Sequence, residues 1–341
     1  MHKRARVIYN PTAGRETMRN SLVDILDIYE QAGYETSAFA TTPAPNSARN
    51  EAERAGKEGF DMVVACGGDG TLNEVVSGLS GLPEGHRPTL AIIPAGTTND
   101  FARALHIPRG DPIAAAKLIL KKNKAFQMDV GKAGDNYFMN IAAGGELTEL
   151  TYQVPSDMKT LFGYLAYIVR GAEVLPRVRP IPMDIKYDGH EFHGPASMFL
   201  LALTNSVGGF ESIAPDAQLD DGNFTMMIVK ETNMMGLMQL MAKALNGTHI
   251  DDPRVIYRKV KHVEAAPIKD DRLMINLDGE YGGDAPMTFD NLHHHLRVIA
   301  NLDEIPDDAL ADERDMKRVE KDFVRGMDRY SKKQPQDDQK Q

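Results

Sequence analysis

Asp61-Met62-Val63-Val64-Ala65-Cys66-Gly67-Gly68-Asp69-Gly70-Thr71-Leu72-Asn73-Glu74 is the stretch whose reading decides the fold. Met62 to Cys66 is an unbroken apolar run, the pattern of a strand buried on both faces. Three glycines and an aspartate follow within four residues, and Thr71 then opens a segment with Leu72, Val75, Val76 and Leu79 at helical spacing. Strand, glycine loop and helix start, in that order, leave main-chain N–H groups pointing outward beside the positive end of a helix, which suits them to phosphate. Glycines let a bulky anion come close to the main chain. Asp69 is the odd member, because a carboxylate repels phosphate unless a cation lies between the two. The stretch points to a metal–nucleotide site, with an ordinary turn as the plain alternative. It is neither a Walker loop, since no Gly-Lys-Ser/Thr follows, nor G-x-G-x-x-G.

Two neighbouring units repeat the pattern. Arg6 to Tyr9 is a short strand that ends in Asn10-Pro11-Thr12-Ala13-Gly14, ahead of a helical pattern at Leu22, Ile25, Leu26 and Tyr29. The amides of that turn, with Asn10 and Thr12, can meet phosphate or form no more than a βα turn. Tyr34 to Ala40 is a second strand, ending at Thr41-Thr42-Pro43, and Ser47 is the expected cap of a helix through Ala48, Ala52 and Ala55. On the other side, Leu90 to Ile93 is a strand that runs into Pro94-Ala95-Gly96-Thr97-Thr98-Asn99-Asp100-Phe101-Ala102-Arg103. Asp100 there is either a helix-start acid or a group that orients a metal or a hydroxyl. Strands alternating with helices as far as residue 122 predict a parallel, doubly wound α/β sheet. In such sheets ligands bind past the carboxyl ends of the strands, where these loops converge.

At Lys121-Lys122-Asn123-Lys124 the pattern changes. Strands are expected at Gln127–Lys132, Asn136–Ala142, Ile181–Tyr187, Ala196–Thr204, Asn223–Lys230, Arg254–Val263 and Arg272–Leu277, separated by turns such as Tyr187-Asp188-Gly189-His190 and Leu219-Asp220-Asp221-Gly222. This predicts a second, mainly antiparallel β domain. Helices are expected at Met158–Leu175 and Asn233–Leu245; the methionines of the latter suit a core or an adaptable surface for acyl chains. Leu296 to Leu302 is a strand late enough to return to the first domain. The expected division is residues 1–125 for the nucleotide-binding unit, rejoined by about 291–330, and 126–290 for the β-rich unit. Beyond Asp303, Leu310, Met316, Val319, Phe323, Val324 and Met327 suit a surface or dimer-packing helix, so a homodimer is an expectation, and residues 331–341 read as a disordered tail.

The chain has 341 residues, enough for two domains, with 42% hydrophobic and 26% charged residues and a net charge of −10, which argues against nucleic acid as a partner. One cysteine, Cys66, excludes an intrachain disulfide and a cysteine-based zinc cluster. It sits in a buried strand as an inert small hydrophobe, and a cytoplasmic location fits. There is no signal-peptide core after Met1, and no apolar run approaches the ~20 residues of a membrane span. A membrane, if met, is met from its surface. His293-His294-His295 reads as surface, since adjacent strand residues face opposite ways. The basic run Arg254, Arg258, Lys259, Lys261 and His262 reads as a solvated strand face or a contact for anionic headgroups.

Taken together, Asn10-Pro-Thr-Ala-Gly14, Gly67-Gly-Asp-Gly-Thr-Leu-Asn-Glu74, Pro94-Ala-Gly-Thr-Thr-Asn-Asp-Phe-Ala-Arg103, Leu219-Asp-Asp-Gly222 and Asp278-Gly-Glu280 resemble the diacylglycerol kinase catalytic-domain family, in the family's order and across nearly the whole chain. The Gly-Gly-Asp-Gly-Thr segment alone is shared with NAD kinases and phosphofructokinases. The resemblance implies an α/β domain of that kind, a C-terminal β-sandwich and an active site in the cleft between them. It implies ATP binding by Asn10, Pro11, Thr12, Ala13, Gly14, Thr41, Gly67, Gly68, Asp69, Gly70, Thr71, Leu72, Asn73, Glu74 and Thr98. Asp69 would act on the ATP-bound Mg²⁺ through water, with Asp100 supporting the same centre. Glu280 would take the proton from the lipid hydroxyl; read without the family it is an exposed hairpin acid. A second, structural Mg²⁺ site is implied at Asp221, with carbonyls of Gln218 and Asn223.

The implied activity is phosphorylation of diacylglycerol to phosphatidic acid by a cytoplasmic protein transiently at the inner membrane face. The alternatives are a kinase for a sphingoid base, undecaprenol or another long-chain alcohol, and a catalytically inactive nucleotide-binding regulator. No motif fixes the lipid-recognising residues.

Overall fold

The computed structural model describes residues 2–121, 125–145, 179–206, 213–269 and 271–311. Strands β1 (Lys3–Tyr9), β2 (Tyr34–Ala40), β3 (Met62–Gly67) and β4 (Thr89–Pro94) form a parallel sheet in the order β2-β1-β3-β4. Every residue of β3 is buried, as an apolar run flanked by strands on both sides requires. Helix α1 (Thr17–Gln31) packs on α5 (Pro112–Ala116), and α2 (Ser47–Lys57) packs on α3 (Asp69–Ser80); the short α4 (Asp100–Ala104) follows β4. The chain leaves β1 toward β2 and later leaves β3 toward β4 in the opposite direction. That reversal opens a crevice at the carboxyl ends of β1 and β3.

The remaining strands are β5 (Ala125–Ala133), β6 (Asn136–Phe138), β7 (Ile141–Gly144), β8 (Ile181–Tyr187), β9 (His190–Ala202), β10 (Phe224–Lys230), β11 (Val255–Val260), β12 (His262–Pro267), β13 (Met274–Leu277), β14 (Glu280–Asp284) and β15 (Met287–Ile299), with helix α6 (Met234–Ala244) between β10 and β11. They pair antiparallel around a second core that contains Phe138, Phe199, Phe224 and Phe289. The long β15 joins the halves. It pairs antiparallel with β5 and β12 and then lies parallel to β4 at Val298 and Leu90. The returning strand therefore starts at Met287, well before the expected Leu296.

Two expected strands are broken, each by a distant carboxylate. Asn136–Ala142 divides into β6 and β7 because Met139, Asn140 and Ile141 all give their N–H groups to Asp278 instead of to a ladder. Arg254–Val263 divides at Lys261, where the N–H groups of Lys261 and His262 both go to Asp188. The basic run is also less solvated than expected. Arg254 pairs with Asp252, Lys259 with Asp221 and His262 with Asp290.

Ser47 does not cap α2. Its Oγ accepts from the Thr42 N–H, and the helix start is served by Glu74 Oε2, which accepts from the Ala48 N–H at 2.8 Å. Of the three consecutive histidines, His293 and His294 are exposed as expected, but His295 is half-buried, bonded to the Ser80 carbonyl and stacked on Tyr137. The expected helix at Met158–Leu175, the segment beyond residue 311 and the 331–341 tail lie outside the described residues.

Candidate active site

Three main-chain hydrogen bonds tie four strand ends into one edge: Thr41 N–H to the Tyr9 carbonyl, Asn10 N–H to the Cys66 carbonyl and Ala95 N–H to the Gly67 carbonyl. The loops that begin at Thr41, Asn10, Gly67 and Pro94 therefore leave the sheet side by side. Asn10 closes its own loop, with Oδ1 accepting from the Thr12 N–H at 3.0 Å and from Thr12 Oγ1 at 2.9 Å, and Gly14 completes it at φ 60°. Gly68 and Gly96 face each other so closely that a Cβ on Gly96 would lie 2.6 Å from Gly68 Cα. Only glycine fits there. Thr98 is half-buried on the same loop, and Asn99 adopts φ 49° and clips that loop through bonds with the main chain of Gly96.

Asp69 is the first residue of α3. Its Oδ2 accepts from the Asn99 N–H at 3.0 Å, so the loops after β3 and β4 meet at this carboxylate. Burial raises its carboxyl above the ordinary aspartate value against the N–H groups of Asn99, Asp100 and its own main chain, which pull it down. Asp100 opens α4, and its Oδ1 accepts from Ser206 Oγ of the β domain at 3.4 Å. Thr71 and Asn73 are partly exposed on the first turns of α3, whereas Leu72 is buried in the core. Glu74 is turned to the start of α2.

The β domain contributes the hairpin between β13 and β14. Asp278 and Gly279 both have positive φ, at 52° and 97°, the geometry of a two-residue turn of this hand. Asp278 is half-buried, and four donors meet its carboxylate: the N–H groups of Met139, Asn140 and Ile141, each at 2.9 Å, and Asn73 Nδ2 at 3.1 Å. Asn73 and Asp69 are four residues apart on α3, hence on one helix face about 6 Å apart. The bond to Asn73 thus brings the hairpin, with exposed Glu280 two residues on, against the first turn of the helix that carries Asp69. Asn276 Oδ1 accepts from the Gly279 N–H at 2.9 Å and fixes the turn from the other side.

The sequence reading gave no role to Asp278, Asn276 or Ser206. An Asp-Gly turn is legible, but the partners that hold its aspartate are three N–H groups more than 130 residues away. Gln218, Asp221 and Asn223 share one turn. Asp221 Oδ2 pairs with Lys259 Nζ at 2.9 Å and Oδ1 accepts from the Asn223 N–H, while Gln218 Nε2 donates to the carbonyls of Asp308 and Leu310. Among the described residues no group of three or more His, Cys, Asp or Glu is gathered as a metal site.

A parallel α/β sheet whose glycine loops meet an acidic hairpin from a β-sandwich-like half is the architecture of a class of kinases. Residues 4–133 match the family described as diacylglycerol kinase catalytic domain, and residues 147–300 match the YegS C-terminal NAD kinase beta sandwich-like domain. The diacylglycerol kinase of Bacillus subtilis (strain 168) is 50% identical over 297 residues, 87% of this chain and 96% of the relative. That of Staphylococcus aureus (strain bovine RF122 / ET3-1) is 46% identical over 313 residues, 92% and 97% of the two. The crystal structure of a diacylglycerol kinase from Bacillus anthracis str. Sterne is similar at a TM-score of 0.72 and 27% identity, covering 88% of this chain and 98% of that one. The chain belongs to the diacylglycerol kinase catalytic-domain family.

Proposed function

We propose that this chain is an ATP-dependent diacylglycerol kinase, which transfers the γ-phosphoryl group of ATP to the free hydroxyl of 1,2-diacylglycerol and releases phosphatidic acid and ADP. The observation that carries the reading is the Asn73–Asp278 bond, because it sets the acidic hairpin of one half against the phosphate-binding helix of the other. Phosphoryl transfer requires in-line positioning, neutralisation of charge and an acceptor for the alcohol proton. The loops from Asn10, Gly67 and Pro94 hold the triphosphate, with Thr41 and Thr98 at their margins. Glu280 takes the proton of the lipid hydroxyl, and Asp278 holds the turn that presents it.

The donor set at Asp69 and Asp100 fits Mg²⁺. It is all oxygen, and Asp69 is a half-buried carboxylate with no cationic partner among the described residues. Bound there with ATP, Mg²⁺ would supply charge neutralisation for the phosphates. The turn at Gln218, Asp221 and Asn223 fits a cation once Lys259 withdraws, since the ammonium now holds the position of positive charge. The nucleotide-binding unit is residues 1–125, rejoined from about 291, and 126–290 is the lipid-binding unit. A cytoplasmic location with transient attachment to the inner membrane face and a homodimer belong to the same reading.

Purified protein with labelled ATP, Mg²⁺ and a panel of lipids in mixed micelles tests it. Label is expected in diacylglycerol. Label only in another long-chain alcohol reassigns the substrate, and label in none leaves a nucleotide-binding regulator.

A further inference from the structure

Asn140, Thr204 and Ser206 are polar side chains at 6, 1 and 0% exposure, and they lie between the catalytic turn and the loop after β4. Asn140 is held three ways. Its N–H donates to Asp278 Oδ1 at 2.9 Å, its carbonyl accepts from the Leu203 N–H at 2.9 Å, and its Oδ1 accepts from Thr204 Oγ1. Thr204 Oγ1 also faces the Ser206 carbonyl at 3.3 Å, and Ser206 Oγ donates to Asp100 Oδ1 at 3.4 Å. With the bonds from Asn73 to Asp278 and from the Asn99 N–H to Asp69, these contacts close a ring. It runs from Asp69 along α3 to Asn73 and crosses to Asp278. It then passes through Asn140, Thr204 and Ser206 and crosses back to Asp100, beside Asn99.

A buried hydroxyl or amide is costly to leave unpaired, so such a row persists where every member has a partner. Here the two ends of the row meet the opposite half: Asp278 accepts from Asn73, and Ser206 donates to Asp100. Hydrogen bonds have direction and a narrow range of length, so the row is satisfied at one separation of the halves, which a purely apolar contact would not specify. Asp278 belongs to the turn that presents Glu280, and Asp100 stands beside the residue whose N–H meets Asp69. Fixing their separation fixes the distance from the hairpin to the phosphate loops. The crossing at Ser206 is the looser one, at 3.4 Å against about 2.7–2.8 Å for a well-formed O–H···O bond. Bonds of this kind tighten when a site closes on its substrates.

We propose that Ser206 is a positioning residue for phosphoryl transfer. Its hydroxyl, backed by Thr204 and Asn140, latches the β domain to Asp100 as the cleft closes and so sets the reach of Glu280 to the phosphoryl group. The inference rests on the kinase reading of Asp100 and Glu280, and one arm of its test reads the latch without catalysis.

Ser206→Ala is expected to lower kcat for diacylglycerol roughly 10-fold, as loss of a hydrogen bond to a charged group does, with KM for ATP little changed. Thr204→Val, which keeps the shape and removes the hydroxyl behind the latch, is expected to lower kcat in the same way, and Thr204→Ser to restore it. Ser206→Ala and Asn73→Ala open the same ring, so their combined effect on kcat is expected to fall short of the product of the two. Amide hydrogen exchange at Met139 to Ile141, whose N–H groups end on Asp278, reads closure directly. With Mg²⁺ and a non-hydrolysable ATP analogue, protection there is expected to rise in the wild type, and the rise to be lost in Ser206→Ala. An unchanged kcat in Ser206→Ala, a raised KM for ATP as its main effect, a Thr204→Ser rate as low as that of Thr204→Val, or an equal rise in protection with and without the Ser206 hydroxyl overturns the proposal. So do effects of Ser206→Ala and Asn73→Ala that simply multiply. Failure of the wild type to phosphorylate any lipid, with the difference in protection intact, would count against the kinase reading and leave the latch standing.

Discussion

Asn73 Nδ2 donates to Asp278 Oδ2 at 3.1 Å between residues 205 apart in the chain, and it ties the helix after the glycine loop to the hairpin that presents Glu280. Replacement of Asn73 by alanine is expected to lower kcat roughly 10-fold or more, since a hydrogen bond to a charged group contributes about 1.5–3 kcal/mol. KM for ATP should change little. A raised KM with unchanged kcat would instead make Asn73 a nucleotide contact and nothing more.

Asp278 also sets a pH dependence. Burial pushes its carboxyl up to about 6, against the Met139, Ile141 and Asn140 N–H groups and the Asn73 amide, which lower it. The folded carboxyl holds its proton more tightly than an unfolded aspartate near ~3.9. Its contribution to stability is therefore fully present below that unfolded value and is lost as pH rises through about 6. Activity should run the other way, because only the ionised carboxylate accepts from all four donors. A kcat profile is expected to fall as pH drops through about 6, and Asn73→Ala should move that acid limb upward by removing a donor that favours ionisation. An unmoved limb would assign it to another group.

The approach of Gly68 and Gly96 makes a contrast between two glycines. A Cβ on Gly96 would meet Gly68 Cα at 2.6 Å and Asn99 Oδ1 at 2.8 Å, whereas nothing lies within 4 Å of one on Gly70. Gly96→Ala is expected to cost about 1–3 kcal/mol of stability and to weaken ATP binding. Gly70→Ala should melt at or above the wild-type temperature. Denaturant titration of both variants checks the difference.

Lys259 holds Asp221 in an ion pair at 2.9 Å, so a cation bound at the proposed site would have to displace it. Mg²⁺ is expected to raise the melting temperature of the wild type, to raise it further in Lys259→Ala and to leave Asp221→Ala unmoved. The same Mg²⁺ response in Asp221→Ala would remove this turn from the metal sites.

The parallel half was legible because its signals are local. Each buried strand is a continuous apolar run, and each ends in glycine, proline or a hydroxyl residue before a helix, as at Met62–Gly67 and Thr89–Pro94. The β half misled wherever a carboxylate far along the chain took N–H groups away from a ladder. Asp278 did so at Met139 to Ile141, and Asp188 did so at Lys261 and His262. The Ser47 cap looked sound in sequence and lost to Glu74, which reaches α2 from 26 residues on. Glycine loops and acids gave the candidate site its parts; the bond from Asn73 to Asp278, which assembles them, needs both halves folded.

Glu280→Gln tests the central claim most directly. The substitution keeps size and shape at an exposed hairpin position and removes the proposed proton acceptor. With labelled ATP, Mg²⁺ and diacylglycerol micelles, the wild type is expected to make labelled phosphatidic acid. Glu280→Gln is expected to make less than roughly one hundredth as much, in line with the ~10²–10⁴-fold contribution of a general base, while it binds ATP as before. Transfer at the wild-type rate by Glu280→Gln would contradict the account.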